Sequence, residues 1–178
     1  MAEPGSGLTS ALALIVDVPD FPESGILFKD ITPLLADPVA FSAVVDAIVT
    51  HHGRGTVDKI VGLEARGFIF GAPVAYHMAA GFVPVRKSGK LPSATYAETY
   101  DLEYGSATIE VHQDAFQPGE RVLIVDDVLA TGGTAEAAVS LVRRSGAEVV
   151  GLTVLMELSF LNGRDRFTDL PIHSLVLV

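Results

Sequence analysis

Asp126 and Asp127 stand side by side, and Ala130, Thr131, Gly132, Gly133 and Thr134 follow a few positions later. The acids close the apolar, largely β-branched run Val122-Leu-Ile-Val125, which reads as a strand covered on both faces. Residues 134–144 read as a helix, with arginines near its C-terminal end, where the helix dipole favours cations, and Gly146 as its stop. Strand, small-residue turn and helix in this order put the acids where open α/β sheets bind ligands. Gly132 and Gly133 let backbone N–H groups come close to an anion, while Thr131 and Thr134 add hydroxyl donors. The helix N-terminus adds a partial positive charge. Residues 130–134 therefore form a phosphate cradle.

The carboxylates narrow the choice of phosphate compound. Beside an anion they repel unless something lies between: sugar hydroxyls, or a magnesium ion (Mg2+), which takes oxygen ligands. A ribose 5-phosphate carries hydroxyls and a terminal phosphate in that arrangement. A nucleotide P-loop needs Gly-Lys-Ser/Thr, which is absent here, and the dinucleotide fingerprint has Gly-x-Gly where these acids stand. A strand end with solvated acids would need no such coincidence of acids, hydroxyls and glycines.

The elements that must hold these residues alternate along the chain. Residues 57–63, 82–85, 121–125, 149–155 and 174–178 read as strands, and 67–80 as a helix between the first two. The alternation implies βαβ units and a mostly parallel central sheet flanked by helices, an α/β fold in one domain over residues 1–178. Two stretches break the rhythm. Residues 19–38 carry four prolines and read as a loop-rich cap, completing an N-terminal hood over 1–38. Residues 87–107 form a polar insertion rich in Gly, Pro, Thr and Tyr, expected as a mobile lid, with 108–112 alternating as an edge or hairpin strand would.

The whole chain sets the outer bounds. A net charge of −10 repels a phosphate backbone, so nucleic acid is an unsuitable partner for the protein as a whole. The absence of cysteine excludes a disulfide framework, a thiolate zinc site and a cysteine nucleophile. No apolar stretch has the length of a membrane span, and the first residues carry no signal-peptide pattern. A cytoplasmic protein is expected. Within this acidic chain, Arg86, Lys87 and Lys90 cluster at the root of the insertion, three of its 12 basic residues within five positions.

The 122–134 segment resembles the phosphoribosyl-pyrophosphate motif of the type I phosphoribosyltransferases. Four further blocks narrow the resemblance to the adenine-specific branch of that family. They are Phe21-Pro-Glu-Ser-Gly-Ile-Leu-Phe-Lys-Asp-Ile-Thr-Pro33, Gly62-Leu-Glu-Ala-Arg-Gly-Phe68, Val85-Arg-Lys-Ser-Gly-Lys-Leu-Pro92 and Tyr100-Asp-Leu-Glu-Tyr-Gly105. Ser24 and Lys29 depart from the pattern, standing where proline and arginine are common.

The resemblance implies that adenine and phosphoribosyl pyrophosphate give AMP and pyrophosphate, with magnesium and in a homodimer. It implies that Asp126 and Asp127 hold the ribose diol, and serve the metal indirectly through substrate or water. Residues 130–134 would wrap the 5-phosphate, while Ala65, Arg66, Arg86, Lys87 and Lys90 would meet pyrophosphate. It places a strained peptide at Ala65–Arg66. Glu103 would handle the proton lost by adenine, Tyr104 would shape the closed lid, and Leu27, Phe28 and Leu158 would surround the base. A transferase for 6-oxopurines (xanthine or guanine) and a non-catalytic sensor of phosphoribosyl pyrophosphate are the alternatives.

Overall fold

A computed structural model describes residues 6–101 and 105–178 of the chain. It divides into a smaller unit ending at His51 and a larger one running from His52 to Val178.

The smaller unit contains α1 (Ser6–Leu12), β1 (Val16–Pro19), β2 (Leu27–Asp30), α2 (Thr32–Ala36) and most of α3 (Pro38–His52). The proline-rich stretch is thus more ordered than a loop-rich cap. β1 and β2 pair antiparallel, from Val16 opposite Asp30 to Pro19 opposite Leu27. Asp20 closes their turn by accepting the Gly25 N–H at 2.7 Å. Side-chain oxygens also start the helices. Asp30 accepts the Thr32 N–H and hydroxyl, and Asp37 accepts the N–H groups of Val39 and Ala40. The prolines that break core periodicity sit at positions helices tolerate, Pro33 in the first turn of α2 and Pro38 at the head of α3.

The larger unit is a seven-stranded sheet. Its strands are β3 (Lys59–Leu63), β4 (Gly81–Lys87), β5 (Thr95–Asp101), β6 (Ser106–His112), β7 (Arg121–Leu129), β8 (Glu148–Glu157) and β9 (Ile172–Leu177). Their order is β5-β6-β4-β3-β7-β8-β9. Strands β4, β3, β7, β8 and β9 run parallel, and the β5–β6 ribbon joins antiparallel at the β4 edge. Helix α4 (Gly67–Met78) links β3 to β4, and α5 (Gly133–Arg144) links β7 to β8.

Burial on both faces explains the unbroken apolar runs. Val122, Leu123, Ile124 and Val125 have no exposed surface. Val122 and Ile124 belong to the cluster that takes in Ala138, Leu141 and Val142 of α5. Leu123 and Val125 alternate to the opposite face, as the pleat requires. Each such side chain withdrawn from water is worth about 1.5–3 kcal/mol.

Two strand expectations change. β7 does not stop at Val125 but continues through both aspartates to Leu129, because β8 runs equally far and pairs Val128 with Met156 and Leu129 with Glu157. The polar insertion is partly strand: 95–101 pair with 106–112 along their whole length. β6 consequently lies inside the sheet, and β5 takes the edge.

Candidate active site

The chain leaves β3 for β4 on one side and β7 for β8 on the other, so the sheet order reverses between β3 and β7. A crevice opens at the C-terminal ends of two such strands. Here it is a cavity of about 260 Å³. One wall is the turn after β3 with Glu64, Ala65 and Arg66; the other is the end of β7 and the loop that follows. Ala65, Arg66, Lys87, Asp126, Asp127, Ala130, Thr131, Gly132, Gly133 and Thr134, all named from the sequence, line it.

The loop after β7 is shaped by what lacks a side chain. Gly132 adopts φ 85°, a left-handed conformation, and acts as N-cap of α5. A Cβ on Gly133 would lie 3.2 Å from the Tyr100 ring. The Thr134 hydroxyl donates to the Tyr100 phenol oxygen at 3.0 Å, which ties β5 to the first turn of α5. With backbone N–H groups of a helix start and no acid before Glu136, this loop suits an anion.

The acids occupy the centre. Asp127 is 5% exposed and pairs with the Arg66 guanidinium, Nε to Oδ2, at 2.9 Å. Asp126 Oδ1 accepts the Asp127 backbone N–H at 2.8 Å. Burial first, and the charge of Asp127 second, push the Asp126 carboxyl well above its ordinary range, against the pull of the Asp127 N–H and of Arg66. Gly67, which opens α4, lets the helix come this near: a Cβ there would sit 2.7 Å from the Val125 carbonyl oxygen and 2.9 Å from Asp126 Oδ1.

The basic residues divide. Lys87 faces the cavity. Arg86 and Lys90 are not among the described residues that line it. Arg86 donates to Glu64 from Nε at 3.1 Å and from Nη1 to the Lys90 carbonyl at 3.1 Å. Glu64 also accepts the Lys87 N–H at 2.9 Å. Burial pushes the Glu64 carboxyl up, but the Lys87 N–H and the Arg86 guanidinium outweigh it and hold it below its ordinary value. The cis peptide of this turn is Glu64–Ala65, one bond earlier than the Ala65–Arg66 position expected.

The residues that the resemblance assigns to the base are scattered. Leu158 donates its N–H to the Leu129 carbonyl at 2.9 Å and is not among the described lining residues. Leu27 and Phe28 belong to the smaller unit, where Leu27 is exposed and Phe28 meets Phe21 edge-on, with ring centroids 5.1 Å apart. Glu103 and Tyr104 lie outside the described residues. Sequence reasoning missed Glu64, Tyr100, Gly163 and Arg166. Glu64 and Tyr100 lay inside quoted blocks, but their partners, Arg86 and Thr134, are far along the chain. Gly163 and Arg166 carried no signal at all.

The sheet order, the strand-end acids and the glycine loop define an α/β protein whose crevice at the topological switch point is lined as a phosphorylated ligand requires. Residues 30–171 match the phosphoribosyl transferase domain. The adenine phosphoribosyltransferase of Acidothermus cellulolyticus is 63% identical over 166 residues, covering 93% of this chain and 94% of that one. The crystal structure of the Rhodothermus marinus adenine phosphoribosyltransferase superposes with a TM-score of 0.91 at 52% identity, covering 97% of this chain and 99% of that one. The Saccharomyces cerevisiae enzyme, crystallised with adenine and an imino-altritol bisphosphate, gives a TM-score of 0.92 at 40% identity over 96% and 99%. The chain belongs to the phosphoribosyltransferase family and, within it, to the adenine phosphoribosyltransferases.

Proposed function

We propose that this crevice transfers the ribose 5-phosphate group of phosphoribosyl pyrophosphate to adenine, forming AMP and releasing pyrophosphate. The observation that carries the reading is one cavity lined by paired aspartates, a glycine-threonine anion loop and two basic residues. Asp126 and Asp127 accept hydrogen bonds from the ribose hydroxyls, and residues 130–134 hold the 5-phosphate with N–H and hydroxyl donors. Arg66 and Lys87 face the pyrophosphate; Arg86 and Lys90 support the same anion from the root of the insertion. As the anomeric carbon–oxygen bond breaks, negative charge passes to pyrophosphate and positive charge develops on the sugar carbon. The ring nitrogen of adenine then bonds to that carbon from the opposite face, and its proton passes to Glu103.

Closure of the insertion, with Tyr104 in it, keeps water from the same carbon. Leu158, which follows β8, is the apolar residue of the larger unit that the reading assigns to the base. Magnesium suits the donor set, because Asp126 and Asp127 offer hard carboxylate oxygens at the cavity wall. Asp126 and Asp127 would hold the ion through substrate or water, and bound with substrate it would supply positive charge against the leaving pyrophosphate. The reading includes a homodimer and a cytoplasmic setting; among the described residues no helix is long and apolar enough to cross a membrane.

The test is product formation. Purified protein given phosphoribosyl pyrophosphate, magnesium and either adenine, guanine or hypoxanthine should form AMP in preference to either other nucleotide. Preference for a 6-oxopurine would overturn the base assignment, and release of no pyrophosphate with any base would overturn the catalytic one.

A further inference from the structure

Behind the anion loop lies a short 3-10 turn, Gly163–Arg166. Gly163 presses so closely on the loop that a Cβ there would come 2.1 Å from the Ala130 carbonyl oxygen and 3.0 Å from the Gly132 nitrogen. Arg166 donates from Nε to the Thr131 carbonyl oxygen at 2.7 Å and from Nη1 to Glu136 at 2.7 Å. Both contacts bear on how the loop presents itself to an anion.

The Thr131–Gly132 peptide can face either way. Glycine accepts positive and negative φ almost equally, so the backbone alone does not choose the orientation. The cis bonds lie at Phe21–Pro22 and Glu64–Ala65, so this peptide is trans. In a trans peptide the carbonyl and the following N–H point in opposite directions. A Thr131 carbonyl held outward by Arg166 therefore directs the Gly132 N–H inward, to the cavity that Gly132 lines. The flipped peptide would show an anion a carbonyl oxygen instead. Glu136, meanwhile, is the acid in the first turn of α5, where its charge opposes a bound phosphate, and Arg166 neutralises it.

We infer that Arg166 is a positioning residue for the sugar phosphate: it fixes the Thr131–Gly132 peptide with its N–H toward the anion and masks Glu136. The inference rests on the sugar-phosphate reading of the cavity. A control stands on α5, the helix that carries Glu136. Arg143 pairs with Asp169 at 2.9 Å, and its side chain is 47% exposed against 46% for Arg166, but among the described residues no loop carbonyl accepts from it. Loss of a half-exposed ion pair by itself has little effect, so the two arginines separate positioning from general stability.

Ribose 5-phosphate binding is measured by calorimetry and steady-state constants are measured for both substrates. Arg166→Met should weaken ribose 5-phosphate, and raise KM for phosphoribosyl pyrophosphate, by about tenfold with KM for adenine unmoved. Arg166→Lys, which keeps the charge without the fork that reaches two acceptors, should fall between it and the wild type. Arg143→Met should match the wild type. Ribose 5-phosphate binding unmoved in Arg166→Met, an equal loss in Arg143→Met, or an equal rise in both KM values would overturn the inference alone. Should Arg166→Met not fold, Arg166→Lys decides: weaker binding supports the role, wild-type binding overturns it. A wild-type protein that does not bind ribose 5-phosphate would overturn the sugar-phosphate reading itself.

Discussion

After β3 the chain turns into α4 through Glu64, Ala65 and Arg66; after β7 it turns into α5 through Ala130, Thr131 and Gly132. Both turns join a buried parallel strand to a helix, and both line the same cavity. The first is held by charged side chains, Glu64 on Arg86 and Arg66 on Asp127. The second is held mainly by close backbone approach, with Gly163 against Ala130 and Gly132, and by one guanidinium, Arg166, on the Thr131 carbonyl. A turn built from charges should yield to isosteric neutralisation and to pH. A turn that depends on close backbone approach should yield to a single methyl group and respond less to pH.

Substitutions can break that contrast. The largest effect is expected from Gly132→Ala. Its Cβ would sit 2.7 Å from the Gly163 carbonyl oxygen at φ 85°, and a non-glycine residue held in a sparsely populated conformation costs about 1–3 kcal/mol. Calorimetry should show ribose 5-phosphate binding weakened on the order of a hundredfold; a loss under threefold would mean the loop tolerates a side chain. Next comes Asp127→Asn, which removes a buried charge but keeps the shape. Affinity for phosphoribosyl pyrophosphate should fall about tenfold with circular dichroism unchanged, and unchanged affinity would remove the diol role. Arg66→Lys keeps the charge but not the guanidinium geometry, and should raise KM for phosphoribosyl pyrophosphate about fivefold.

The smallest effect sharpens the contrast through pH. The folded Glu64 carboxyl lies below its ordinary value of 4.5, so its contribution to stability is fully present above that value. It is lost as pH falls through the lowered folded value. The melting temperature of Glu64→Gln should therefore lie below wild type at neutral pH, and the gap should close in acid. A gap constant across the acid range would show that the Glu64 charge contributes nothing.

The same contrast explains how much could be read from the residues. The glycine turn was legible, because Gly-Gly between threonines after an apolar strand admits few readings, and every residue assigned to it lines the cavity. The charged turn was half legible. Arg66 stood out, but its grip on Asp127 joins the turn after β3 to β7, and no spacing reveals such a pair. The end of β7 was hidden because Asp126 and Asp127 interrupt the apolar run, while the pairing that carries the strand to Leu129 comes from β8. β5 was hidden for another reason. Thr95, Tyr96, Thr99 and Tyr100 are good strand formers, but flanking glycine and proline drew the segment toward loop.

Gly67 bears on what the protein can accept. Its backbone rests against the Val125 carbonyl and Asp126, so the separation between α4 and β7 is fixed by main chain meeting main chain. Such a spacing has no rotamers to relax. Widening the crevice here would mean sliding a whole helix along the sheet, so the reach from Arg66 to Asp127 is set by the backbone before any ligand arrives.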